Sequence, residues 1–233
     1  MKILALDTAT ENCSAALLIN GNLLTRELLL SRGHTEHILA MVSELLADAD
    51  AALQELDAIA FGRGPGAFTG VRLAASVTQG LAFGAAIRVV PVSNLQALAQ
   101  RLLLQEPAAE RVLVCTDARM REVYRGAFER SAGGLALAVE AERVVAPGAV
   151  KLPVPWVAAR TVGVGSAFAA YPELRVALPG LSVREGLWPR AAEIAQLAVA
   201  QVRAGRTVTP AEALPVYLRD DVARPVDPGP ASH

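Results

Sequence analysis

No run of about 18 uncharged apolar residues, the length a membrane-spanning helix needs, occurs in this 233-residue chain. Cysteine is nearly missing too, with only Cys13 and Cys115. Two thiols make no disulfide framework, and in a chain read as unexported both are expected to be reduced and buried. There is no basic surplus: 22 Lys and Arg stand against 23 Asp and Glu, for a net charge of −1. A protein that grips nucleic acid unaided usually carries a clear positive excess, so direct RNA binding is not the first expectation. Of the basic residues only Lys2 and Lys151 are lysines. With the high alanine content, that bias reflects genomic base composition and carries no functional weight.

What the chain has is apolar patterning. Hydrophobic residues make up 53% of it, enough for a large core in one or two domains. Ile3 to Leu6 is apolar and Asp7 cuts the run, which reads as a strand and not a leader peptide. Cys13 to Ile19 and Leu23 to Leu30 follow as strands about the Asn20-Gly21-Asn22 turn. From His34 to Ala49 the apolar residues Ile38, Leu39, Met41, Val42, Leu45 and Leu46 recur at helical spacing. Leu56 to Phe61 is a strand. It runs into Gly62-Arg63-Gly64-Pro65-Gly66-Ala67-Phe68-Thr69-Gly70-Val71-Arg72, the densest glycine stretch of the chain. A helix follows to about Phe83, with Thr69 as the expected N-cap and Gly84 as the expected C′ residue. Its small residues, Gly70, Ala74, Ala75, Gly80 and Ala82, would let another helix approach closely.

Ile87 to Val92 is a further strand, and Ser93 or Asn94 caps a helix to about Leu104. Val112 to Asp117 then repeats the opening: an apolar strand ending in Asp, a turn, and a return strand from Glu122 to Glu129. Two such openings about a hundred residues apart indicate a duplicated fold. A strand at Thr161 to Val164 and a helix at Ala191 to Ala204 continue the second copy. The expected architecture is α/β, a two-lobed actin-like and Hsp70-like fold of duplicated, ribonuclease-H-like halves. Its lobes are read as 1–104 and 105–233, with the final segment packing back on the first lobe. The Pro-, Asp- and Gly-rich tail from Arg219 is expected to be loose at its end.

Four sets of residues invite a chemical reading. The glycine loop misses the Walker A spacing and its lysine, and Ala67 stands where a dinucleotide fingerprint needs its third glycine. Gly62, Arg63, Gly64, Gly66, Thr69 and Arg72, with Asp7, remain candidate anion or nucleotide contacts. The alternative is a tight turn made for close packing. His34 and His37 share a helix face but lack the H-E-x-x-H spacing and a third ligand, so no metal site is expected. Asp7 reads equally as half of a carboxylate pair holding hydrated Mg²⁺ with Asp117 and as an Asx-turn residue. For Asp117 the turn reading leads. Cys13 and Cys115 lie in apolar strands, and G-x-S-x-G is missing, so no nucleophile is assigned.

Several segments, in order along the chain, resemble the TsaB (YeaZ) family. They are Ile3 to Glu11, His34-Thr35-Glu36-His37-Ile38-Leu39, the whole loop Gly62 to Arg72, Asp117-Ala118-Arg119-Met120-Arg121-Glu122-Val123-Tyr124, and Pro215-Val216-Tyr217-Leu218-Arg219. The resemblance implies a cytoplasmic, non-catalytic scaffold in tRNA threonylcarbamoyladenosine synthesis. The assembly modifies the adenosine 3′ of the anticodon in tRNAs reading codons that start with A. The implied partners are the paralogous catalytic subunit TsaD, the ATPase TsaE, and a second copy of the chain itself. Transfer RNA is met only through the complex, there is no membrane, and ATP or ADP belongs only at the subunit boundary. TsaD carries a His-x-x-x-His metal pair where this chain has Asn94 and Leu98. The helices at 34–49 and 69–83 form the implied contact surface, through Ile38, Met41, Val42, Leu45, Gly70, Val71, Ala74, Ala75 and Thr78. On that basis Ala74→Arg or Ala75→Arg is expected to block pairing while the lone chain stays folded. The competing reading is an independent ATP-dependent phosphotransferase of the same fold, and a weaker third is a metallopeptidase-like protein using His34 and His37.

Overall fold

The computed structural model describes residues 1–219, and the part of the tail beyond them lies outside the described residues. Two five-stranded paths organise the chain. In the first, β1 (Lys2–Asp7), β2 (Asn12–Ile19) and β3 (Asn22–Leu29) form an antiparallel meander. After α1 (His34–Asp48), β4 (Ala58–Gly62) pairs parallel to β1. After α2 (Phe68–Ala85), β5 (Val89–Val92) pairs parallel to β4, giving the order β3-β2-β1-β4-β5. α3 (Asn94–Gln105) leads into the second sheet.

There β6 (Arg111–Asp117), β7 (Val123–Arg130) and β8 (Ala136–Ala138) repeat the meander, and β9 (Arg143–Val145) adds to β7. β10 (Val162–Val164) then pairs parallel to β6. α4 (Ala167–Ala170) and α5 (Glu173–Ala177) lead to β11 (Ser182–Arg184), parallel to β10, and α6 (Ala191–Arg203) follows. The order β8-β7-β6-β10-β11 is that of the first sheet read again. Even the turn bond is duplicated. Ala9 N donates to Asp7 Oδ1 at 3.2 Å, and Arg119 N donates to Asp117 Oδ1 at 2.8 Å. Both aspartates are Asx-turn residues.

Strand alternation explains the layers. Leu4 and Leu6 of β1 face Ile38, Met41, Val42 and Leu45 of α1 and Ala74, Ala75 and Ala82 of α2. Ile3 and Ala5, one position out of phase, face Ile194, Ala195 and Ala198 of α6. Leu95, Leu98 and Leu102 of α3 cover one face of the second sheet, against Val112, Val114 and Phe128. Phe168 and Leu174 cover the other, against Leu113 and Cys115. Each half of the chain therefore lends a helix to the other. A cut at residue 104 assigns α3 to the wrong sheet's cover, and α6 likewise, so the packing does not follow that boundary. The stretch after α6 also runs over the first sheet. Val208 bridges to Val89, Gln79 Nε2 donates to Ala213 O at 3.2 Å, and Val216 N donates to Arg63 O at 2.8 Å.

Both ends of α2 differ from expectation. Thr69 lies inside the first turn, and Ala67 occupies the N-cap position with no side-chain bond. Gly84 is inside the helix, and the left-handed residue that stops it is Ala86. Ser93 does cap α3, accepting from Leu95 N and Gln96 N. No helix among the described residues is long and apolar enough to cross a membrane.

Candidate functional site

The glycine loop is shaped by its own chain. A Cβ on Gly70 would lie 2.0 Å from Thr8 O, and one on Gly66 would lie 2.6 Å from Ala9 O. The loop and the start of α2 press directly on the β1–β2 turn. Thr8 Oγ1 reinforces the contact by donating to Gly70 O at 2.7 Å. At Gly62 a Cβ would meet Asp7 Oδ1 at 2.4 Å and the Asn94 amide at 2.7 Å. Asn94 ties three pieces together: Nδ2 donates to Asp7 Oδ1 at 2.7 Å, and Oδ1 accepts from Gly64 N at 2.8 Å. Gly64 N is thus already spent. The close-packing reading of the loop is the one its geometry supports.

The other anion candidates point elsewhere. Arg63 pairs with Glu142 at 3.7 Å. Arg72 lies over the Phe68 ring at 3.7 Å and donates to the Tyr217 hydroxyl at 2.7 Å. Thr69 is exposed in the first turn of α2. Asp7 is fully buried, and its Oδ2 has no hydrogen-bond partner. Burial pushes its pKa up to about 7, against the lowering effect of the Asn94 and backbone hydrogen bonds. Asp117 lies on the cleft wall with both oxygens engaged, by Arg119 and by the Tyr171 hydroxyl. His34 Nε2 meets Thr10 O at 2.8 Å, and His37 is exposed. Cys13 and Cys115 are buried thiols, pushed up to about 11 and about 12 by burial.

The state of Asp7 has a measurable consequence. Between its ordinary value of 3.8 and its folded value near 7, this acid holds its proton in the native state while the unfolded chain loses it. Its contribution to stability is full below pH 3.8 and declines as pH rises to about 7. The ceiling is about 1.4 kcal/mol per pH unit. Asp7→Asn is expected to remove that slope, so its urea midpoint, relative to the parent's, improves between pH 5 and pH 8. An offset that stays constant with pH would assign the shift to another group.

The residues expected at an interface face the wrong way. Ile38, Met41, Val42, Leu45, Val71, Ala74, Ala75 and Thr78 are buried against the first sheet, and Gly70 is against Thr8. They form the apolar stripes of α1 and α2, and a stripe covers the sheet first. Helical phase puts the outward face of α2 at Phe68, Arg72, Ser76, Gly80, Phe83 and Gly84. Gly80 and Gly84 have nothing within 4 Å of an added Cβ, and Phe83 is 82% exposed. On α1 the outward apolar residue is Leu39. Stepping three and four residues from Ala74 and Ala75 and keeping the complement would have found this face.

Between the lobes lies a cleft of about 1070 Å³. Its floor includes Leu95, Leu98, Leu187 and Trp188, and its sides include the β1–β2 turn and the start of α2. Nothing in the sequence pattern marked Leu187 or Trp188, which reach the cleft from the connection between β11 and α6.

The family model described as "TsaD: tRNA N6-adenosine threonylcarbamoyltransferase" matches residues 28–223. The tRNA threonylcarbamoyladenosine biosynthesis protein TsaB of Escherichia coli K12 is 40% identical over 231 residues, covering 98% of this chain and 99% of that protein. The chain belongs to the TsaB family. A second TsaB protein, from Haemophilus influenzae, is 38% identical over 98% of both chains. The solved YeaZ structure from Pseudomonas aeruginosa superposes with a TM-score of 0.85 at 41% identity, over 93% of this chain and 99% of that one. The TsaB-family chain here shares that structure's fold, with its two α/β sheets of one strand order.

Proposed function

We propose that this chain acts in tRNA threonylcarbamoyladenosine biosynthesis as a non-catalytic scaffold for a TsaD-type threonylcarbamoyltransferase. The observation that carries the reading is 40% and 38% identity, along 98% of the chain, with proteins named for tRNA threonylcarbamoyladenosine biosynthesis. The local chemistry supports the non-catalytic half. The resemblance puts the paralogue's metal-binding histidines at Asn94 and Leu98. Here Asn94 is committed to Asp7 and Gly64, and Leu98 is buried in the second core. A TsaE-type ATPase completes the assembly, a nucleotide belongs at the subunit boundary, and self-pairing through the same face is the alternative state of the free chain.

The docking face in this proposal is the outward side of α2 with Leu39 of α1. Gly80 and Gly84 leave the α2 backbone bare beside Phe83, which suits a partner helix lying close. Phe83→Glu is expected to abolish co-elution with the TsaD-type partner and to leave the thermal midpoint of the lone chain nearly unchanged. Co-elution at parental levels would remove this face from the proposal. Reconstituted tRNA modification should require both proteins. Transfer activity by this chain alone would overturn the scaffold role.

A further inference from the structure

We infer that the rim of the interlobe cleft binds single-stranded RNA, with phosphates on one wall and bases stacked on the other. The inference rests on the proposed function only for the choice of RNA as the natural ligand; the geometry is independent of it.

One side of the rim is the turn between β6 and β7, of which Ala118 and Arg119 line the cleft while Met120 and Arg121 do not. Arg119, Met120 and Arg121 are successive non-glycine residues with φ of 61°, 53° and 57°. L side chains resist that region, and a run of three is held only when its surroundings fix it. Here they do. Asp117 accepts from Arg119 N, Ala118 N donates to Glu122 O at 3.0 Å, and Arg219 donates to Ala118 O at 3.1 Å and pairs with Glu122. The result is a rigid knuckle that thrusts two guanidinium groups outward, with Met120 between them 81% exposed. Each guanidinium touches an acid, Arg119 with Asp117 and Arg121 with Glu173. The acids sit further in: the Arg119 side chain is 82% exposed and that of Asp117 only 17%. Exposed pairs of this kind are weak, and the guanidinium fork fits a phosphate as well as a carboxylate.

The other wall is aromatic. Phe68 and Tyr217 are half-exposed, with ring centroids 5.8 Å apart; Arg72 stacks on one face of Phe68 and donates to the Tyr217 hydroxyl. Aromatic faces backed by a guanidinium are the surface on which unpaired bases stack. Phe68, Tyr217, Arg119 and Arg219 all line the one cleft, above the apolar floor at Leu187 and Trp188. The charged residues lining it are Arg32, Arg119 and Arg219 against Glu11 and Asp117, with Arg219 paired to Glu122 and Arg119 to Asp117. A duplex offers phosphates but no free base faces, and an acidic peptide offers nothing flat for the rings. Single-stranded RNA satisfies both walls.

The test uses the full chain and a fluorescently labelled RNA hairpin with an open loop, read by anisotropy across about 50 to 200 mM salt. A blunt duplex of the same stem sequence is the comparison. The hairpin is expected to bind at least about tenfold tighter than the duplex, since only it presents stackable bases. Arg119→Gln with Arg121→Gln should weaken binding and flatten the salt slope by about 1.4, two phosphates' worth for a single strand. Tyr217→Leu should cost about fivefold or more without changing that slope, and Tyr217→Phe, which keeps the ring, should restore it. Equal binding of hairpin and duplex, no binding of either, or insensitivity to these substitutions overturns the inference. So does displacement of the RNA by ATP or by polyglutamate at concentrations comparable to the RNA, which would assign the cleft to a free nucleotide or an acidic protein. Co-elution with the TsaD-type partner is measured on the same variants. Lost RNA binding with intact pairing supports this site and leaves the scaffold reading in place, whereas lost pairing with intact RNA binding does the reverse.

Discussion

Ala74→Arg is expected to cost the lone chain most of its stability, not merely its partner. Ala74 has no exposed surface and sits in the cluster formed by Leu4, Leu6, Ile59 and Phe61 with α1. The side chains of that cluster are apolar and offer an arginine no partner. An arginine there must bury an unpaired charge or push α2 off the sheet. Either route costs several kcal/mol, about 3 to 5 by analogy with broken buried pairs, and overpacking adds about 1 to 3. Against a native stability of about 5 to 15 kcal/mol, little is left. The expected reading is a thermal midpoint lower by about 10 °C or more, or no cooperative transition at all. A folded, unpaired variant would restore Ala74 as a partner contact and refute the inward orientation of this face.

Two glycines on the same helix should respond to alanine with opposite signs. Helix propensity alone favours Gly→Ala by up to about 1 kcal/mol at an interior position. At Gly80, where nothing lies within 4 Å of an added Cβ, that gain should appear as a small rise in the urea midpoint. At Gly70 the added carbon meets Thr8 O at 2.0 Å and Ala9 Cα at 3.2 Å. These are backbone atoms of a turn fixed by Asp7 and by the Thr8 hydroxyl bond to Gly70. No side chain can swing away, so the strain outweighs the propensity. A net loss of about 2 to 3 kcal/mol is expected, at the upper end of overpacking costs. Equal and stabilising effects at both sites would show that the loop does not press on the first turn.

The strands were legible in the sequence because alternation and turn residues are local signals. Val112 to Asp117 could be matched to Ile3 to Asp7 by eye, and the two sheets do share one strand order. The short pieces β8, β9 and β11 were not legible, since three residues carry no periodicity; the equally short β10 was read only because its apolar run stops at Gly165. Which sheet each helix covers was not legible, for a different reason. An apolar stripe says that a helix is covered, not by which sheet, and α3 and α6 cross over. The same ambiguity misled the interface: Ile38, Ala74 and Thr78 are buried already in the single chain. The glycine loop was located correctly, but its reason lay sixty residues back, in carbonyls at Thr8 and Ala9. The Phe68–Arg72–Tyr217 cluster spans two distant segments and left no local trace.

The crossover of α3 and α6 also sets a timetable for synthesis. The first sheet is complete in sequence at Val92, but the helix that covers Ile3, Ala5 and Ala60 ends only at Arg203. At about 5–20 residues per second, roughly 5 to 20 s pass between the two on the ribosome. For that interval the nascent sheet has one dry face and one wet apolar face. It cannot finish by borrowing α3, which is committed to strands not yet made. A ribosome-bound chain stopped before α6 should therefore be a client for holdase chaperones, and one released after α6 should not.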